Sequence, residues 1–193
     1  MYFDTSDDKI QSDLSELTGK EVVVMEKMDG ENTSMTSEHM YARSIDSNNH
    51  PSRNYVKGIW GNIRHLIPEE FRICGENLYA KHSLYYEDLE DYFLVFSIWN
   101  GIVCLSFEET LDYCNLFGLK HVNVIDRFIF DENKIKNIKI DPNVQEGYVV
   151  RNSGQFEYQY FNKNVIKYVR KNHIQTDKHW SQEKIIKNKL KNE

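Results

Sequence analysis

The sequence predicts an α+β domain built on mainly antiparallel sheet, and three observations carry that expectation. Eight short runs have the composition of strands, at 21–26, 39–43, 71–76, 92–99, 102–105, 121–125, 146–151 and 156–161, and they succeed one another as hairpin neighbours. Helix signals are fewer and do not alternate regularly with these runs, which argues against a βαβ parallel sheet. Punctuation is sparse: three prolines, nine glycines, no low-complexity run and no internal repeat, so 193 residues read as one compact unit with a real core.

The first strand contains Val22-Val23-Val24-Met25 and runs straight into Glu26-Lys27-Met28-Asp29-Gly30. Alternation along a strand puts Val23, Met25 and Lys27 on one face and Val22, Val24 and Glu26 on the other, so a lysine stands at the mouth of a buried strand. Gly30 lets the chain turn away there. A helix is expected over 54–66, stopped near Pro68. Phe71-Arg72-Ile73-Cys74-Gly75-Glu76 ends an apolar run on a carboxylate. Phe93 to Trp99 is almost wholly apolar, the pattern of a strand buried on both faces. Ser106-Phe107-Glu108-Glu109 is a capping box opening a helix through Phe117, with Gly118 placed to end it. Gln145-Glu146-Gly147-Tyr148-Val149-Val150-Arg151 opens a strand on a carboxylate, and Val165-Ile166-Lys167 sets a cation in an apolar context. Ser181 to Lys191 reads as a basic amphipathic helix. The expected organisation is a domain over 1–180 and a basic helical tail over 181–193.

Composition bounds the function. The formal net charge of −6 argues against coating a polyanion by charge alone, but residues 163–193 hold nine Lys+Arg against three Asp+Glu. A polyanion would therefore meet the C-terminal part and local pockets. No stretch approaches the roughly 20 apolar residues that cross a bilayer, and the acidic start lacks the pattern of a signal peptide, so a cytoplasmic, intracellular protein without membrane contact is expected. Cys74, Cys104 and Cys114 are odd in number and include no C-x-x-C pair, which favours buried, inert thiols over disulfides or zinc.

Taken in order, Lys27-Met28-Asp29-Gly30, Gly75-Glu76, Phe93 to Ile98, Glu146-Gly147-Tyr148-Val149-Val150 and Ile166-Lys167 resemble the motifs of the covalent nucleotidyltransferases. The series looks most like the ATP-dependent RNA ligases of the phage RNA ligase 2 type, over about residues 20–180. The resemblance implies an adenylyltransferase domain of antiparallel sheets with flanking helices and no oligonucleotide-binding (OB) domain. It implies ATP and Mg2+ or Mn2+ as cofactors and RNA ends as partners. It further implies that Lys27 attacks ATP to form a lysine-AMP, that AMP passes to an RNA 5′-phosphate, and that a 3′-hydroxyl then displaces it.

An unperturbed lysine has a pKa of about 10.4, so only roughly one in 2,500 is neutral at pH 7, a deficit of about 4.6 kcal/mol. Nearby cations correct this, which is why Lys167, Arg43 and a metal are expected around Lys27. By the same resemblance Glu76 holds the ribose hydroxyls and Phe96 stacks on adenine from a face shared with Leu94 and Ile98. Glu146 serves the metal, while Asp29 orients the loop or metal-bound waters. Glu26 and Gly30 border the nucleotide, and Arg43 lies near its phosphates or the RNA terminus. Many members carry K-x-K in the last motif; here Val169 takes the second place, and Arg170 falls on the opposite face from Lys167. His173, His179 and Trp180 form a cluster just beyond. With little chain after residue 180, a bare catalytic core helped by an accessory RNA-binding protein or by the basic tail is expected. A DNA ligase, a capping-type guanylyltransferase and a non-catalytic nucleic-acid-binding module of the same fold stand as alternatives.

Overall fold

A computed structural model of the protein describes residues 14–43, 50–170 and 184–192. The expected His173, His179 and Trp180 cluster lies outside them. The chain runs β1 (Glu21–Lys27), β2 (Glu31–Met35), β3 (Met40–Ala42), α1 (Asn54–Ile63), β4 (Phe71–Asn77), β5 (Phe93–Asn100), β6 (Val103–Cys104) and α2 (Phe107–Phe117). It continues through β7 (Lys120–His121), β8 (Val124–Ile129), α3 (Glu132–Lys136), β9 (Gly147–Asn152), β10 (Phe156–Glu157), α4 (Phe161–Asn164) and β11 (Val165–Val169). The α+β class with mainly antiparallel sheets is the one the sequence predicts.

Two sheets face each other. One has the order β11-β9-β1-β8; the other runs β10-β6-β5-β4-β2-β3, with β7 joining β5 as a parallel partner. Val23 and Met25 of β1 meet Leu94 of β5 and Leu78 in the apolar layer between them. Val22 and Val24 point the other way, onto Leu17, Ile135 and Tyr148. Strand alternation thus builds two cores from one run of valines. The outer face of the second sheet carries α1 and α2 through Val56, Ile63, Cys114 and Phe117. The capping box at Ser106 and Glu109 is formed, and Gly118 closes α2 at φ +67°.

Several expectations change in detail. Helix α1 gives way to a 3₁₀ turn at Arg64–Leu66. The run 121–125 divides between β7 and β8 because Val122 turns into the inter-sheet layer. In the run 156–161 only Phe156–Glu157 is strand; a 3₁₀ turn and α4 follow, bringing Phe156, Tyr158 and Phe161 around Trp99. Strand β2 escapes a hydrophobicity reading because it buries Glu31, Thr33 and Met35 on one face. The basic helix expected over 181–191 is, in its described part, extended: Lys187 bridges Ala80 and Leu190 bridges Leu89. Strand β5 carries a bulge: Cys74 faces Ser97 and Gly75 faces Val95, leaving Phe96 as the extra residue. Leu94 therefore joins the inter-sheet layer while Ile98 packs under the helices, so the shared face expected for Leu94, Phe96 and Ile98 is broken.

Among the described residues no helix is long and apolar enough to cross a membrane. All three cysteines are buried and free.

Of the glycines, Gly147 sits in the tightest place, since a Cβ there would stand 1.9 Å from the Tyr168 carbonyl oxygen. Gly147→Ala is expected to lower stability by about 1–3 kcal/mol in urea unfolding through overpacking. Gly58→Ala, in α1 with open space around it, is expected to raise it by about 0.5–1 kcal/mol.

Candidate active site

Lys27 ends β1 with its side chain on the inter-sheet face, directly across from Gly147, the first residue of β9. That register brings the preceding residue, Glu146, beside the amine: Lys27 Nζ donates to Glu146 Oε2 at 2.6 Å. The side chains are unequally exposed, 26% for Lys27 and 7% for Glu146. One partner is open to an incoming ligand and the other is fixed in the wall.

The opposite wall comes from the second sheet. Glu76 near the end of β4 accepts the Gly30 N–H at 3.2 Å through Oε1. Desolvation by burial pushes the Glu76 carboxyl up to about 8, against the pull of Lys27, with the Glu146 charge adding to the rise. Gly30 and Gly75 permit this approach. A Cβ on Gly30 would lie 2.5 Å from the Asn77 carbonyl oxygen, and one on Gly75 would lie 2.5 Å from the Phe93 ring. Next to Gly30, Glu31 forms a buried two-bond ion pair with Arg53, at 2.7 and 2.5 Å, which ties the start of β2 to the entry of α1.

Asp29 is engaged with the segment between β4 and β5. Its Oδ2 accepts the Leu84 N–H at 2.7 Å, and its own N–H donates to the Tyr86 hydroxyl at 2.9 Å. Tyr86 is buried and was not singled out by the sequence, where it is one more tyrosine in an aperiodic run. Glu26 turns away from Lys27 by strand alternation and accepts from Asn123 Nδ2 at 3.4 Å; burial raises its carboxyl. Phe96, half-buried at the bulge, packs against both the inter-sheet layer and the Trp99 cluster.

The expected cations stand further out. Lys167 is exposed and faces Val149, which in turn faces Met25, so it lies on the Lys27 face one pair along the sheet. Arg43 is exposed just past β3, and β2 separates that strand from β4. Val169 faces Gly147, which faces Lys27, so an apolar side chain occupies the row of the amine. Among the described residues, the charged group in contact with Lys27 is the Glu146 carboxylate, with the Glu76 carboxyl, raised to about 8 by burial, on the facing sheet.

Two carboxylate residues do not form a closed metal cage, and no group of three or more His, Cys, Asp or Glu with that geometry occurs among the described residues. A hard divalent cation that keeps waters and shares phosphate oxygens needs only one or two carboxylates, so this donor set fits Mg2+ or Mn2+ bound together with a nucleotide.

The RNA ligase family model matches residues 20–169. No curated protein matches. The fold is similar to that of an apo mutant of the Naegleria gruberi RNA ligase, at 17% identity and TM-score 0.57 over 81% of this chain and 51% of that one. A mutant of the same enzyme solved with ATP and Mn gives 15% and 0.56 over 88% and 57%. An archaeal ATP-dependent RNA ligase gives 19% and 0.56 over 81% and 44%. An Aquifex aeolicus protein provisionally described as an ATP-dependent DNA ligase gives 24% and 0.54 over 81% and 45%. The chain thus spans about half the length of the solved structures it matches.

Because the Glu76 carboxyl is raised to about 8 from its ordinary 4.5, its contribution to stability is present below pH 4.5 and is lost as pH rises through about 8. Glu76→Gln removes that loss. In thermal unfolding across this range, the Tm of the variant minus that of the wild type is expected to increase with pH; a difference independent of pH contradicts the burial of this carboxyl.

Proposed function

The chain belongs to the RNA ligase family, and from that premise we propose that it is an ATP-dependent RNA ligase joining 5′-phosphate and 3′-hydroxyl ends through adenylylated Lys27. The observation that carries this reading is a part-exposed amine at the end of β1, with Glu146 at 2.6 Å and Glu76 on the facing sheet.

In the first step Lys27 Nζ attacks the α-phosphorus of ATP. A nitrogen–phosphorus bond forms, the bond to the oxygen bridging the α- and β-phosphates breaks, and pyrophosphate leaves. Glu146 Oε2, already in contact with Nζ, is the nearest acceptor for the proton that the amine must shed. The adenylyl group then passes to an oxygen of the RNA 5′-phosphate, which frees Lys27. Finally the 3′-hydroxyl attacks the phosphorus of that RNA 5′-phosphate, a 3′–5′ phosphodiester forms, and the bond to AMP breaks so that AMP leaves.

Other side chains bind and orient. Glu76, neutral below about pH 8, offers one O–H donor and one acceptor oxygen, which complements ribose hydroxyls that both donate and accept. Phe96 supplies a ring for the adenine, and Lys167 and Arg43 meet phosphates of the nucleotide or the RNA terminus. Asp29 keeps the loop after Lys27 in place. Mg2+ or Mn2+ would be held at Glu146, where it would offset phosphoryl charge that this carboxylate would otherwise repel. RNA ends are the substrate, with an accessory RNA-binding protein as a further partner, and the need for ATP fits action in the cytoplasm.

Incubation with labelled ATP or GTP and magnesium tests this directly. AMP is expected to become covalently attached from ATP and not GTP, through a bond that survives alkali and is cleaved by acid as a phosphoramidate is, and Lys27→Ala is expected to abolish the label with an unchanged circular dichroism spectrum. Undiminished labelling of that variant removes Lys27 as nucleophile, and labelling from GTP alone turns the reading to a capping-type transferase. Joining of RNA but not DNA strands is expected, since the 2′-hydroxyl distinguishes them. Phe96→Ala is expected to weaken ATP binding by about 1–3 kcal/mol in calorimetry if adenine stacks there; an unchanged affinity places the base elsewhere.

A further inference from the structure

Between β4 and β5 the chain makes a long excursion, residues 78–92, that contains no regular element beyond isolated bridges. Its backbone groups need partners, and residues 184–192 supply them. Lys81 N–H donates to the Ile186 carbonyl at 2.7 Å, Leu89 N–H to that of Lys189 at 3.1 Å, Lys189 N–H to that of Tyr86 at 2.9 Å and Lys191 N–H to that of Leu89 at 3.0 Å.

Asn188 is the centre of this attachment. It is fully buried at 0% exposure. Its Nδ2 donates to the Leu78 carbonyl at 2.8 Å, and its Oδ1 accepts the Tyr86 N–H at 3.0 Å. Its backbone N–H donates to the Tyr79 carbonyl at 3.1 Å, and its carbonyl accepts the Tyr92 hydroxyl at 3.0 Å. A carbonyl on one side and an N–H on the other fix which way the amide points. The side chain thus ties the start of the excursion to its middle, at Leu78 and Tyr86, while the backbone carbonyl of the same residue holds its end at Tyr92.

The same excursion holds the loop that follows Lys27. Tyr86 gives its N–H to Asn188 and accepts the Asp29 N–H on its hydroxyl, and Leu84 N–H reaches the Asp29 carboxylate. Met28, between Lys27 and Asp29, is buried against Leu78, Leu84, Tyr86, Leu89 and Tyr92. A path of two hydrogen bonds runs from Asn188 through Tyr86 to Asp29, and the chain through Met28 carries it on to Lys27.

We propose that Asn188 is a positioning residue for Lys27: by clamping the 78–92 excursion it fixes Tyr86 against Asp29 and sets where the Lys27 amine stands. This rests on the reading of Lys27 as the nucleophile. Attack requires the reacting atoms to be held within a few tenths of an ångström, so loosening this path slows the step more than it weakens nucleotide binding.

The test uses the full chain. Asn188→Ala is expected to slow Lys27 adenylylation at saturating ATP at least ten-fold while the KM for ATP changes less than three-fold. By hydrogen exchange, the Asp29 and Leu84 amides are expected to lose at least ten-fold protection while amides at the centre of β5 keep theirs. Tyr86→Phe, which removes only the hydroxyl facing Asp29, is expected to give the same slow rate with a wild-type unfolding curve, so a poorly folded Asn188→Ala does not decide the matter alone. Wild-type rate at saturating ATP in Tyr86→Phe, or exchange that rises equally in β5, overturns the proposal. A wild-type chain that takes no label from ATP overturns the ligase reading instead, and the exchange pattern then decides whether Asn188 holds the Asp29 loop.

Discussion

The pairing of Lys27 with Gly147 across β1 and β9 is the contact on which the candidate site depends. A bare glycine is required there because any Cβ would collide with the Tyr168 carbonyl oxygen of β11, so the three strands close up in this register only around a residue without a side chain. Once they do, Glu146 has no other place than beside the lysine, and Val169 completes the row. The glycines at 30 and 75 do the same for the other wall, letting Glu76 come under the Gly30 amide. A motif that reads in sequence as isolated glycines beside charged residues is, in three dimensions, one steric condition met in three places.

The electrostatic character of the site follows from that condition. Among the described residues the Glu146 carboxylate meets the lysine, and the neighbour in its row is a valine. Burial leaves Glu76 protonated well above the ordinary carboxyl range, so near neutral pH the wall opposite Lys27 is a polar, uncharged hydrogen-bonding surface and the ionised partner is Glu146. Among the described residues this site has one close ion pair, Lys27 with Glu146. A triphosphate entering it brings more negative charge than Lys27 offsets, which is the physical reason that a divalent cation and the more distant Lys167 and Arg43 belong in the account.

What the sequence makes legible is what depends on local period. Alternation placed Val23, Met25 and Lys27 on one face correctly, and the capping box with Gly118 marked both ends of α2. What it hides depends on contacts far apart in the chain. The bulge at Phe96 shifts the parity of β5 without any break in its apolar run. Residues 184–192 have an apolar period that suits a helix, yet the unpaired backbone of a distant excursion draws them out into extended bridges. Asp29 is recognisable beside Lys27, but its partners, Leu84 and Tyr86, lie in a stretch with no period to mark them. Asn188 carries no local signal at all, since its four partners become neighbours only when the chain has folded.

The central claim is geometric: the β1–β9 register presents the Lys27 amine to the reacting phosphorus. A crystal structure of the chain with a non-hydrolysable ATP analogue and Mn2+ tests it most directly. The account places the α-phosphorus about 3–3.5 Å from Lys27 Nζ, with the ribose at Glu76 and the base against Phe96. A nucleotide bound elsewhere, or one whose α-phosphorus lies out of reach of that amine while Glu146 keeps hold of it, contradicts it.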